Sequence, residues 1–151
     1  MAFHIHGVAS GQMEFNDQRL GLYTLGELGT EDGLKVETIL LDYKHGILRI
    51  MTKLMVFLEH NEEIYWLAKC TYISIFEMDE PEIFKRGASK RAIGMLKECC
   101  DLNQAHAYGQ FYHMLEKNDL PLIPSQLQPI EGFQSAFQDF LAKHNDLKKR
   151  K

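Results

Sequence analysis

The sequence predicts an α+β fold: a four-stranded antiparallel sheet followed by a long helix and a C-terminal amphipathic helix. Three observations predict it. β-Branched and aromatic residues alternate through the first half, all four prolines (Pro81, Pro121, Pro124, Pro129) lie in the second half, and sustained helical periodicity begins only near Ala88. A run of strands followed by helices places the helices against one face of an antiparallel sheet.

The first strand is read from "AFHIHGVA", where Phe3 and Ile5 alternate with His4 and His6, and from "GQMEFN", where Met13 and Phe15 share a side. Together they form one strand bent near Gly11. Residues 17–33 hold Gly21, Gly26, Gly29 and Gly33 and give no clear element, although "LGLYTL" has strand character. "LKVETILLDY" is a strand by its β-branched content, "KHG" is a turn, and Ile47 to Leu58 alternates cleanly, with Leu48, Ile50, Leu54, Val56 and Leu58 on one face. "EHNEE" turns the chain into the fourth strand, "EIYWLAKCTYISIFEM", which is apolar on both faces apart from Lys69 and closes at acidic "EMDEPE". The long helix runs from about Ala88 to Lys117, with Ser89 as a cap. Its main stripe is Ile93, Leu96, Cys100, Ala107, Phe111 and Met114, and a weaker one holds Met95, Cys99, Leu102, His106 and His113. "DLPLIPSQLQP" is an extended connector, because each proline disfavours helix at the residue before it. Phe133, Phe137, Phe140, Leu141 and His144 then mark a closing helix over 131–147.

Length and composition bound the function. A chain of 151 residues makes a single domain over 1–151 that buries a core without metal or disulfide help. Three cysteines, two of them adjacent, are a poor disulfide framework, so the thiols are expected to be reduced and the location cytoplasmic. A net charge of −4, with basic residues clustered only at the "LKKRK" tail, argues against general nucleic-acid binding. No stretch is apolar enough to insert in a membrane, and the start lacks the pattern of a signal peptide.

Chemistry-bearing constellations are sparse. His4 and His6 share a strand face without a third ligand at a telling spacing, so no metal is expected. Cys99, His106 and His113 are spaced by seven residues, about 10 Å of helix rise, and do not share one ion. A nucleophilic Cys99 with a histidine neighbour is the one enzymatic alternative. "GVASGQ" lacks the lysine of a phosphate loop, and there is no G-x-S-x-G. These absences favour a binding or assembly role over an enzyme and call for no cofactor.

Two stretches carry a resemblance. "EEIYWLAKCTYISIFEM", ending in Ile75-Phe76, and "YGQFYHMLEKNDLPLIPSQLQPIEGFQSAF", a helix end, proline-bearing connector and second helix, resemble the SecB export chaperones and their SecB-like relatives. "GQMEFND" matches the family's first strand more weakly. The chain departs from the family at His106–Gln110, where a Phe-Pro-Tyr-Ala-Arg-like turn is replaced, and at Phe15–Asp17, where a Phe-Glu-Ala-Pro-like end is replaced.

The resemblance implies a homotetrameric, ATP-independent holdase, built as a dimer of dimers and binding unfolded polypeptide, as in preprotein export. It implies a subunit interface at Trp66, Ala68, Cys70 and Tyr72, with Cys99 and His106 on the helix beside it. Acidic residues that dock the SecA motor in that family have counterparts here in Glu14 and Asp17. Met51, Met55, Phe57, Trp66 and Tyr72 are expected to line the client groove, since methionine and aromatic side chains adapt to varied partners. An alternative within the same fold is an interaction protein dedicated to one client, such as an antitoxin or a mobile-element protein.

Overall fold

The computed structural model describes residues 3–16, 31–60, 63–84, 89–118 and 139–140. Strands β1 (Phe3–Ser10), β2 (Glu14–Phe15), β3 (Glu31–Lys44), β4 (Ile47–His60) and β5 (Glu63–Met78) form one antiparallel sheet, followed by helix α1 (Lys90–Lys117). The order across the sheet is β1-β5-β4-β3, and β2 also pairs with β5. The expected bent first strand is therefore two strands on one side of β5. Residues 11–13 form the bend, and Gly11 N donates to Thr71 O at 2.8 Å. The sheet thus has five strands where the sequence pattern predicts four.

The β3–β4 hairpin turns on His45 and Gly46, whose φ values are 52° and 81°. Two consecutive left-handed residues are what a tight hairpin with primed-turn geometry requires. A Cβ on Gly46 would also meet Pro81 Cγ at 3.2 Å. Gly46→Ala is accordingly expected to cost about 1 kcal/mol, a drop of roughly 3 °C in melting temperature. A thermal melt checks it.

Helix α1 starts where Ser89 Oγ accepts from Ala92 N at 3.1 Å, as the sequence predicts. It packs along β4 and β5. Its 28 residues rise about 42 Å, close to the roughly 46 Å of a 14-residue strand, so one helix spans the whole sheet length. The core falls into two clusters. Near the 45–46 turn, Leu48, Ile50, Phe76 and Phe84 pack on Leu96, Cys99 and Cys100, and at the far end Leu54, Val56, Leu67 and Tyr72 pack on Ala107, Phe111 and Leu115.

Between the clusters lies a polar layer. Thr52 donates to Asn103 Oδ1 at 2.6 Å, and Asn103 Nδ2 donates to Ser74 Oγ at 2.8 Å and, more weakly, to Tyr72 O at 3.4 Å. Gln104 Nε2 donates to Thr38 Oγ at 2.8 Å, and Thr38 and Thr52 hydroxyls share a 2.9 Å bond. Thr52, Ser74, Asn103 and Gln104 are all buried. Each bond has a defined geometry, so the layer sets the register of the helix on the sheet, which apolar contact alone leaves loose.

The predicted main stripe of α1 is largely inside: Leu96, Cys100, Ala107 and Phe111 are buried, with Ile93 and Met114 half-buried. The weaker stripe divides, since Met95 and Cys99 are buried while Leu102 and His113 are exposed. Of the closing helix, Asp139 and Phe140 are helical and Phe140 is buried against the first cluster; its other positions and the proline connector lie outside the described residues.

Candidate functional site

Strict alternation along β5 would put Trp66, Ala68, Cys70 and Tyr72 on one face, but the structure separates them. Val56 pairs with Ala68 while Phe57 pairs with Trp66, so Leu67 is an extra residue in a β-bulge. Leu67 and Ala68 both point inward, and Trp66 is turned to the opposite face, with Lys69 Nζ 4.4 Å from its ring centroid. Ala68, Cys70 and Tyr72 are buried beneath α1 of their own chain. Tyr72 meets the Phe111 ring edge-on at 6.5 Å, and burial pushes its hydroxyl pKa up, helped by Cys70.

That geometry corrects the residue assignments. Ala68, Cys70, Tyr72 and Cys99 are interior to a single protomer and present no surface to a sister subunit, and Tyr72 presents none to a client. His106 is half-buried on α1. Met51, Met55, Phe57 and Trp66, by contrast, share the sheet face away from the helix, all half-buried. Across that face Ile39, Met51 and Ile73 are cross-strand neighbours and form an apolar row continued by Ala9. This outer surface, together with the edge at β1, is the candidate site.

At the β1 edge, Gly11 donates to Thr71 O, and hydrogen-bonded pairs alternate with open ones along an antiparallel ladder. Continuing the register through Ala9↔Ile73 and Gly7↔Ile75, the backbone groups of Val8 and Ser10 face away from β5. Among the described residues nothing pairs with this outward edge. Beside it stand Ile5 and Val8, 55% and 51% exposed, on the helix side of the sheet. Sequence pattern does not mark these two as functional candidates. Their apolar character reads as core, and only the edge position of β1 reveals otherwise.

The acidic groups are mostly engaged. Glu14 lies 4.0 Å from Lys69 Nζ, and Asp17 lies outside the described residues. Glu77 Oε2 is 3.1 Å from His4 Nε2 and 3.2 Å from His6 Nδ1, and His4 Nδ1 is 3.6 Å from Asp79. Glu80 receives Arg91 at 2.8 Å, and that guanidinium holds its carboxyl below the usual range. Among the described residues no His, Cys, Asp or Glu group has a geometry that holds a metal, and no helix is long and apolar enough to cross a membrane.

All three cysteines are buried free thiols. Burial pushes Cys99 far up and Cys100 from its ordinary 9.0 to about 12, so both stay protonated at neutral pH. A protonated, enclosed thiol is a poor nucleophile. Labelling by a thiol reagent at neutral pH should therefore be slow in the native protein and fast once it is unfolded; rapid native labelling of Cys99 would contradict the burial. Linkage fixes the alkaline behaviour. Because the folded pKa values are raised, stability is fully present below pH 9 and declines as pH climbs toward 12, the unfolded thiols releasing protons first. Melting temperature followed from pH 8 to 11 checks this, and replacing Cys100 by alanine should flatten the decline.

No protein-family model matches the chain, and no curated protein matches it. Among solved structures, it is similar to the SecB-like chaperone of Mycobacterium tuberculosis in complex with a ChAD peptide from the HigA1 antitoxin. That match has 8% identity and a TM-score of 0.43, covering 85% of this chain and 88% of the other. A protein of unknown function from Streptococcus agalactiae is similar at 12% identity and a TM-score of 0.30, over 82% of this chain and 98% of that one. Likeness at this level establishes no shared activity.

Proposed function

We propose that the chain is an ATP-independent holdase that binds unfolded, extended polypeptide. The observation that carries this is the β1 edge, where backbone groups at Val8 and Ser10 with no partner among the described residues stand beside the exposed side chains of Ile5 and Val8. An extended client adds there as a further strand: main-chain pairing is tolerant of sequence, and apolar burial on Ile5 and Val8 is non-directional. Met51, Met55, Phe57 and Trp66 extend the adaptable apolar surface on the outer face. The SecB-like character of the Glu62–Met78 and Tyr108–Phe137 stretches supports the same reading.

No covalent step is involved, and neither nucleotide nor cofactor enters it. Assembly into a homo-oligomer, a cytoplasmic location and docking to a SecA motor through Glu14 and Asp17 belong to the proposal. So does service to preprotein export.

The test is aggregation of a chemically unfolded protein, followed by light scattering without nucleotide. Suppression by the intact chain is expected, and none at molar excess would overturn the reading. Capture of one protein instead of a spectrum from a lysate would recast the chain as an interaction protein with a dedicated client.

A further inference from the structure

The outer sheet face carries a cavity of about 430 Å³. Its walls include Lys35, Lys53, Lys69, Glu14, Glu37 and Met55. Cross-strand register fixes their arrangement. Lys35, Met55, Lys69 and Glu14 form one row, and Glu37, Lys53 and Thr71 form the next. Three ammonium groups therefore surround Met55.

Their charge is incompletely matched. Lys69 has Glu14 at 4.0 Å and rests over Trp66. Among the described residues neither Lys35 nor Lys53 forms an ion pair, whereas Arg49 and Arg91 are each bonded to a carboxylate. Across the strands Lys53 stands opposite Glu37 and Lys69 opposite Glu14, whereas Lys35 stands opposite Met55 with Lys53 as its diagonal neighbour of like charge, a repulsion that a bound anion relieves. Glu14 and Glu37 lower the excess without cancelling it, three lysines standing against two carboxylates.

We propose that this cavity takes an acidic segment of an extended polypeptide, alternate carboxylates on Lys35 and Lys53 and the residue between them turned away from the sheet. The proposal rests on the holdase reading and narrows its client class. Lys35 and Lys53 are diagonal neighbours on adjacent strands, about 7–8 Å apart, and alternate residues of an extended peptide are about 7 Å apart, so one segment reaches both. The partner is thus distinguished by charge at this face and by apolar content at the β1 edge.

Trp66 is the sole tryptophan and lies beside Lys69, so its fluorescence reports occupancy in the full-length protein. The probe is a short blocked peptide alternating aspartate and valine, compared with its asparagine counterpart and with succinate. The aspartate peptide should give a saturable change in emission. Two exposed charge pairs predict roughly tenfold weaker binding for the asparagine peptide, and for the aspartate peptide on Lys35→Gln/Lys53→Gln, with the advantage shrinking as salt is added.

Equal affinity for the two peptides, or an unchanged double variant, would overturn the proposal. Succinate binding as tightly as the aspartate peptide would overturn it in favour of a small dianion. A change of oligomeric mass in the double variant would overturn it in favour of a second copy's acidic segment. If the aspartate peptide fails to bind while aggregation is still suppressed, this inference falls and the holdase reading stands. If the peptide binds with no suppression, the site is supported and the holdase reading falls.

Discussion

Asn103→Ala is expected to destabilise the protein by about 3 kcal/mol, because it empties the centre of the polar layer between sheet and helix. Among the described residues, Asn103 is the side chain that ties Thr52 of β4 and Ser74 of β5 to the helix. Truncation removes three hydrogen bonds and leaves buried hydroxyls facing a void that α1 cannot close without shifting its register. Urea unfolding should show a lower midpoint with an unchanged slope, because the same surface is still exposed on unfolding. A second substitution distinguishes the polar mechanism from loss of packing. In the Asn103→Leu background, Thr52→Val and Ser74→Ala remove the orphaned groups and should recover part of the loss. If the single variant unfolds at the wild-type midpoint, the polar layer does not hold the helix in place.

The second large effect concerns binding. Ile5→Lys/Val8→Lys is expected to weaken capture of unfolded clients by roughly 30-fold while leaving the fold intact. Each side chain is about half exposed, so a client that covers the remainder gains about 1 kcal/mol at each, and together about 2 kcal/mol is a factor near 30. Lysine on an edge strand also opposes strand addition, which is how natural sheets protect their edges. Stability should change by no more than about 0.5 kcal/mol, since neither side chain is in the core. The measurement is client affinity from suppression of aggregation across a concentration series, with circular dichroism to verify the fold. Undiminished suppression would remove the β1 edge from the mechanism and leave the outer face as the surface to test.

Periodicity in the sequence is enough to place β3, β4, β5, the bend at Gly11, the 45–46 turn and the start of α1 at Ser89. Each follows from local chemistry: β-branched alternation, left-handed turn residues, or a hydroxyl that caps a helix. The polar layer is not legible in the same way, because Asn103 and Gln104 interrupt a hydrophobic pattern and read as surface. Their signal is positional, Cys99, Asn103, Ala107 and Phe111 recurring every four residues along one side of α1.

The face assignments require the folded chain. Alternation is a period of two, and the extra residue at Leu67 reverses it, which sends Trp66 outward while Cys70 and Tyr72 stay inside. Whether Ile5 and Val8 are core or exposed likewise depends on β1 occupying an edge of the sheet, a consequence of pairing between residues some 70 positions apart. Local composition thus determined which segments are strands and which is helix; long-range pairing alone decided which sides of them meet solvent, because burial is a property of neighbours that the chain brings together only on folding.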